Sequence, residues 1–464
     1  MSLNTYTSEL ERNPLQRKDN KRLCTCFLVC DPLTSIFSPG ILWFFLPMTY
    51  SDEIKPFSLH LEEAFLKDLR DRIKSTRFPP ADLRGSQEFE YGSPLNHVKR
   101  IAEYWADGYD WRARESTINQ LPMFTTKLWA GVEGPEPEAL NIHFVHSRSE
   151  DEDAVPLLFI HGWPGSFLEV QKILPLLQSG HGQKFHIIAP SLPGYGFSDA
   201  PTAVGFGLDQ AGLICHKLML RLGYKKYVGQ GGDIGAMVLL SMSKNLEICK
   251  SLKGYHLNML STREPTFTSN PLSWIYDKLV PYNEYEKKAV QRKKWFLTQG
   301  SGYRNEQSTK PQTLGYGLSD SPVGLLAWIY EKLHDWTDKY PWTDDEVLDW
   351  VMMYWANPNG PTPTFRMYRE NAKTSFDELM KGGDNRPWGM TSFQMELFPA
   401  IERYARLRPG MKFWAQRASG GHFAATEKPG ELVADIRKCF GPGGAILNVR
   451  KKNSAAVNSL QAKL

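Results

Sequence analysis

The chain has 464 residues, 55 Lys and Arg against 51 Asp and Glu, a formal net charge of +4, and 41% hydrophobic residues. That length gives room for two or three domains of about 150 residues each, in a chain of globular rather than disordered composition. So small a charge, with no basic stripe interleaved with aromatics, argues against nucleic acid as a partner.

Residues 1–22 are polar and basic, and Leu23 to Leu46 is rich in apolar side chains. Asp31, Pro32, Pro39 and Gly40 interrupt that run and leave Ile41-Leu42-Trp43-Phe44-Phe45-Leu46 as its dense piece. A bilayer span needs about 20 mostly apolar residues in succession, and a signal peptide needs one compact core before a small-residue cleavage site. Met48 opens a stretch that reads as the start of a domain, so residues 1–47 are read as an extension, either anchor-like or a non-native start. The six cysteines are too scattered for a disulfide framework. Cys24, Cys26 and Cys30 cluster, but no further His or Cys group completes a four-ligand zinc pattern, and no metal is expected. Cys215, Cys249 and Cys439 read as buried thiols in a reducing compartment.

Leu61, Phe65, Leu66, Leu69 and Ile73 mark one face of a helix from Leu61 to Ser75. Val98, Ile101, Ala102 and Trp105 do the same between Asn96 and Gly108. A Pro/Glu/Gly-rich insertion at Gly131–Glu138 precedes Asn141–Val145, which alternates like a strand. The apolar run Pro156–Ile160 ends at His161-Gly162-Trp163-Pro164-Gly165-Ser166, and Phe185–Ala189 ends at a second loop, Pro190 to Ser198. Lys226-Tyr227-Val228 is a third β-prone run. Strands separated by helical stretches and ending in such loops predict an α/β fold with a mostly parallel sheet and its site at the C-terminal edge. From 262 to 385 the chain is aromatic and helical, a cap; sheet-like sequence resumes near Trp388 and at Lys412–Ala415, and beyond Gly441 the tail is Gly-, Ser- and Lys-containing. The expected domains are 1–47, 48–150, a core in two parts (151–261 and 386–441), the cap at 262–385, and a tail at 442–464.

Gly231-Gly232-Asp233-Ile234-Gly235 has the spacing of a nucleophile elbow, set between a β-prone run and the helix-compatible Ala236–Met242. Most such elbows carry serine. A carboxylate is a poor nucleophile for acyl transfer but a competent one for displacement at saturated carbon, forming an alkyl ester. Asp233 thus points to epoxide opening or halide displacement. In this chain order an acid and then a histidine must follow. Gly420-Gly421-His422-Phe423-Ala424 supplies His422, the expected base for a water that cleaves the ester. Glu396 in Phe393-Gln394-Met395-Glu396-Leu397 is the expected acid; Glu402, followed by Arg403 and Arg406, reads as a solvated face. Backbone amides of Trp163 and Ile234 would form the oxyanion hole, with His161, Gly162 and Pro164 structural in that loop. Ring opening also needs an acid, and two cap tyrosines would serve; 19 tyrosines leave the choice open.

The motifs His161–Ser166, Gly231-Gly232-Asp233 and Gly420-Gly421-His422-Phe423-Ala424-Ala425 together resemble the microsomal-type epoxide hydrolases. So do Phe124-Thr125-Thr126, Ile142–His146, Ser301-Gly302-Tyr303 and Asp320–Leu325, so that the likeness runs from about Ile54 to Phe440. The resemblance implies an α/β-hydrolase core with a helical cap and an N-terminal domain wrapping against both. It implies Asp233 as nucleophile, His422 as base, Glu396 as its orienting acid, and Tyr303 and Tyr368 (in Tyr368-Arg369-Glu370-Asn371) as the acids. Its partners would be a small-molecule epoxide and water, with no cofactor, in the cytoplasm or on the cytoplasmic face of the endoplasmic reticulum; membrane association and a homodimer are both compatible with it. Two departures stand out: the family's usual Phe-Pro-Xaa-Glu reads Phe-Gln-Met-Glu at 393–396, and Ile234 stands where a tryptophan is common.

Dehalogenation shares the Asp-His-acid chemistry but calls for halide donors in place of the tyrosine pair. An internal cyclisation of an epoxide would use the same scaffold. A ligand-binding protein without activity would be signalled by a missing triad member, and none is missing. Trp328, Trp336 and Trp355 in the cap suggest a bulky apolar substrate, although most cap aromatics read as core.

Overall fold

Every side chain of Val155–Ile160 is buried, as a strand covered on both faces requires. It lies near the middle of a nine-stranded sheet in the computed structural model, which describes residues 53–129, 131, 139–262, 264–372, 386–444 and 446. The strands are β1 (Ile54–Pro56), β2 (Met123–Trp129), β3 (Ala139–Ser147), β4 (Val155–Ile160), β5 (Phe185–Pro190), β6 (Tyr227–Gly231), β7 (Leu252–Leu257), β8 (Trp388–Met395) and β9 (Met411–Gly421). Their spatial order is β1-β2-β3-β5-β4-β6-β7-β8-β9. From β1 to β5 neighbours are antiparallel, and from β5 to β9 they are parallel. The parallel strands share one C-terminal edge, where His161, Ser191, Asp233, Glu396 and His422 all emerge.

The anchor-like extension, with Cys24, Cys26 and Cys30, the start at Met48, residues 132–138 of the insertion, and the tail from 447 onward lie outside the described residues. The described residues form one compact unit. Among the described residues no helix is long and apolar enough to cross a membrane. Cys215, Cys249 and Cys439 are free and buried.

The helices foreseen from periodicity form at Glu63–Lys74 and Leu95–Asp107, burying Leu66, Leu69 and Ile73 on the first and Val98, Ile101, Ala102 and Trp105 on the second. A further helix forms at Leu208–Arg221, with Leu208, Ala211, Ile214, Cys215, Leu218 and Met219 buried along one face at three- and four-residue spacing. Periodicity does not reveal β1, which is three residues of edge strand, or β2, whose burial departs from strict alternation.

The N-terminal segment contributes to the core and the cap at once. Its strands extend the sheet, while its helices grip the cap helix Asp344–Trp355. Arg100 pairs with Asp344, with one contact of 2.9 Å; the hydroxyls of Tyr104 and Tyr109 donate to Asp345 and Asp349, each at 2.8 Å; and Arg114 forks onto Asp349. These aspartates lie in the first two turns, and the earliest of them also complement the positive end of the helix dipole. From the core side Lys172 reaches Glu346 of the same helix at 2.8 Å.

Arg114 is partly exposed while Asp349 is nearly buried. Arg114→Met would leave that carboxylate with Tyr109 as its remaining described partner. Urea unfolding should report a loss of about 2 kcal/mol, below the full cost of breaking a deeply buried pair because water reaches Arg114.

Candidate active site

The site begins with a backbone reversal. The chain leaves β6 at Gly231 and starts the helix Asp233–Met242 at once, and Asp233 sits at φ 47°, in the left-handed region. For a residue with a Cβ that conformation costs roughly 1–3 kcal/mol and persists only where the surroundings enforce it. They enforce it here through close contact: a Cβ on Gly235 would lie 2.0 Å from the Ile160 carbonyl oxygen. The helix start is thereby seated directly against the end of β4. A Cβ on Gly162 would lie 2.3 Å from Asp233 Oδ1, so the loop after β4 also passes right beside the carboxylate.

The two oxygens of Asp233 have different surroundings. Oδ1 accepts the Trp163 backbone N–H at 2.8 Å, whereas Oδ2 lies 3.5 Å from His422 Nε2. The Ile234 amide is in the first turn of its helix, where no intrahelical acceptor exists. His161 has Nδ1 3.0 Å from the Gly162 carbonyl, and its Nε2 accepts the Leu192 amide at 3.1 Å. These partners set the tautomer, with the proton on Nδ1, and burial lowers the ring to about 4, so it is a neutral tie between two loops. The Trp163–Pro164 peptide is cis.

His422 follows β9 and Glu396 follows β8, and these neighbouring parallel strands bring Nδ1 and Glu396 Oε1 to 2.6 Å. The same Oε1 accepts the Leu397 amide at 2.6 Å. Glu396 is fully buried. Glu402 is elsewhere, paired with Arg406 on the surface. Burial opposes the charge on His422, but the Glu396 and Asp233 carboxylates outweigh it and push the imidazole up to about 10.

Above this row stand the cap tyrosines. A π-helical turn at Phe296–Gly300 precedes the helix Gly302–Thr309 that carries Tyr303, and Tyr368 comes from the helix Thr362–Asn371. Their rings are 5.9 Å apart and both rest on the Trp163 indole, Tyr303 stacked at 5.0 Å and Tyr368 edge-on at 6.0 Å. The Tyr368 hydroxyl is fully buried, and its polar neighbour is the Tyr303 phenol. Burial first, and then neighbouring negative charge including Asp233, holds both phenols well above their ordinary value. The nearly buried Lys332 ammonium lies 5.2 Å from the Tyr303 ring centre.

The structure thus gathers Asp233, His422, Glu396, Tyr303, Tyr368, Trp163 and Ile234 about one point. Trp336 is one of many cap aromatics that the sequence does not tell apart. Its ring meets His422 edge-on at 5.0 Å and tilts against Tyr303 at 5.1 Å. Glu169 also lies here; it is a carboxyl pushed up to about 8 chiefly by burial, and a Cβ on Gly165 would lie 1.8 Å from its Oε1. Its signal was a lone acid within the apolar Phe167-Leu168-Glu169-Val170. Among the described residues no cluster of His, Cys, Asp and Glu is arranged to hold a metal.

A mostly parallel sheet, a carboxylate at the elbow and a helical cap over it define a capped α/β hydrolase. The family described as alpha/beta hydrolase fold matches residues 155–317, and Epoxide hydrolase N terminus matches residues 54–170. The chain is 36% identical to epoxide hydrolase 1 of Sus scrofa over 426 residues, 85% of this chain and 90% of that one. The solved structure of Aspergillus niger epoxide hydrolase superposes with TM-score 0.72 at 33% identity, covering 84% of this chain and 96% of that one. The crystal structure of juvenile hormone epoxide hydrolase from the silkworm Bombyx mori gives TM-score 0.75 at 32% identity, covering 85% and 95%. The chain belongs to the epoxide hydrolase family.

The raised imidazole makes a stability prediction with a definite sign. A group whose folded value exceeds its unfolded value stabilises the fold fully below the unfolded value and loses that contribution as pH rises through the folded one. For His422 the window runs from 6.5 to about 10. The gap in unfolding free energy between the native chain and His422→Gln, read from urea titrations, should narrow steadily across it.

Proposed function

We propose that this protein hydrolyses a bulky apolar epoxide to a vicinal diol through an ester on Asp233. The observation that carries the reading is the division of labour between the two Asp233 oxygens. Oδ1 is held by a backbone amide, while Oδ2 is the oxygen nearer His422. Oδ2 attacks a ring carbon, the carbon–oxygen bond breaks, and its electron pair stays on the ring oxygen. A phenol of Tyr303 or Tyr368 gives that oxygen its proton; the burial of the paired phenols close to Asp233 supports this role.

Charge then drives the second step. Buried phenolate is disfavoured, and the charged His422 is the nearby proton reserve. Once Asp233 is an ester, one of the two carboxylates sustaining the imidazolium is gone, so His422 releases its proton toward the phenolate. The neutral Nε2 then takes a proton from water, whose oxygen attacks the ester carbon. Negative charge collects on Oδ1, facing the Trp163 and Ile234 amides. Collapse breaks the acyl–oxygen bond, the departing alkoxide takes the proton back from Nε2, and the carboxylic acid left on Asp233 passes its own proton to His422, which restores the imidazolium. Epoxide and water become diol, and Asp233 returns as a carboxylate.

Trp163, Trp336, Phe296, Phe365 and the two tyrosines surround the reacting groups, which supports a bulky apolar substrate. Three buried free thiols suit a reducing compartment, the cytoplasm or the cytoplasmic face of the endoplasmic reticulum.

The test incubates His422→Gln with a panel of bulky epoxides and one chloroalkane, followed by peptide mass mapping. The chloroalkane is included because the buried Trp163 indole N–H, with no partner among the described residues, is a donor of the kind halide binding needs. An epoxide-sized adduct on Asp233 is expected; an adduct from the chloroalkane alone would transfer the reading to dehalogenation. In the native chain, Tyr303→Phe and Tyr368→Phe should each slow ester formation by about 10²-fold, as single-turnover quench measurements would read.

A further inference from the structure

The base is carried on a loop whose backbone amides are all tied down, and the ties come from outside the triad. Gly420 N–H donates to Asp338 Oδ2 at 2.8 Å and Gly421 N–H to Glu427 Oε2 at 3.1 Å. His422 N–H donates to the Trp336 carbonyl at 2.8 Å and Phe423 N–H to Glu427 Oε1 at 3.0 Å. Asp338 closes the set, its own N–H reaching Glu427 Oε2 at 2.8 Å. Four consecutive amides, with His422 third among them, are thus held by one core carboxylate and one segment of the cap. Gly421 makes the approach feasible, since a Cβ there would lie 2.5 Å from the Trp336 carbonyl oxygen.

We propose that Glu427 and Asp338 are positioning residues for the base, holding His422 at the distance from Asp233 that water activation requires and making that distance depend on the seating of the cap. The inference rests on the ester mechanism above. Glu427 has geometry suited to nothing else nearby: its two oxygens receive three backbone N–H groups, from both sides of His422 and from the cap. Arginine or lysine, the usual partner of a buried acid, takes no part in those bonds. Nucleophilic attack on the epoxide uses Asp233 and the tyrosines, whereas ester breakdown uses His422. A displaced base should therefore damage the second half-reaction and spare the first, a split that general destabilisation would not produce.

Glu427→Gln keeps the shape but exchanges one acceptor oxygen for an NH2 group that faces an N–H. With stilbene oxide as probe and rapid-quench mass spectrometry as readout, ester breakdown should slow by about tenfold or more, while formation stays within about threefold. Ester on Asp233 would accumulate accordingly. The Asp338 pair gives an independent check should that variant fold poorly: Asp338→Asn retains an acceptor for Gly420 and should keep near-native breakdown, and Asp338→Ala should slow it. Equal slowing of both half-reactions, or an unchanged breakdown rate in Glu427→Gln and Asp338→Ala, would overturn the proposal. His422→Gln in parallel separates the two levels: if it builds up no ester, the mechanism itself has failed and the positioning role falls with it.

Discussion

The site depends on how closely the start of one helix is pressed against the end of a neighbouring strand. With the backbone of Gly235 against the Ile160 carbonyl, there is no room for a side chain, and the reversal between β6 and its helix has to be sharp. That sharpness places Asp233 in a left-handed conformation and lifts its carboxylate out of the sheet's edge. Everything else is arranged around where that carboxylate ends up. The loop after β4 follows it with Gly162, and the amide of the next residue, Trp163, meets Oδ1.

Electrostatics then ties distant strands together. Taking an imidazole and two carboxylates out of water is costly, and the arrangement is tolerable because each charge faces an opposite one or a backbone dipole. Glu396 is fully buried and bonds both His422 and the Leu397 amide. The positive imidazole between two negative groups is the reason its proton is held so firmly. The same balance explains how the chemistry proposed above turns over, because esterifying Asp233 removes one of the two carboxylates that support the imidazolium. Proton affinity is thus set by the chemical state of the neighbour rather than by a fixed property of the ring.

The cap shares one apolar cluster with the sheet and is held in addition by polar attachments from several sides. Aspartates 344, 345 and 349 take the N-terminal domain's arginines and tyrosines, Glu346 takes Lys172, and the segment Trp336–Asp338 is bonded to the loop bearing the histidine. The tyrosines and the base are consequently referenced to one rigid frame, although they come from segments far apart in sequence. Trp336 lies at the junction, its carbonyl on the histidine's amide and its ring between His422 and Tyr303.

Local chemistry in the sequence was enough to locate the strand ends and the residues that crowd them. The glycines at 231, 232 and 235 announce a tight turn, Gly420 and Gly421 leave space beside a late histidine, and Val155–Ile160 is apolar throughout as a central strand must be. The charged neighbours of Glu402 marked it as a surface residue, where it is found. By contrast, nothing in a linear pattern distinguishes Tyr303 and Tyr368 from the other tyrosines; their assignment came from family likeness, and only the fold sets both rings on Trp163. Glu169 stands out as a lone acid in an apolar run, whereas Glu427, between Thr426 and Lys428, does not. In neither case does the linear pattern carry any sign of which backbone amides or charges the acid will meet. Sequence by itself determined the α/β order, the elbow and the chemical kind of its nucleophile, because turn geometry and side-chain type are local. The tertiary structure alone decided which carboxylate faces the histidine, which amide faces each oxygen and what holds the base in place, because those depend on distances between segments that only packing brings together.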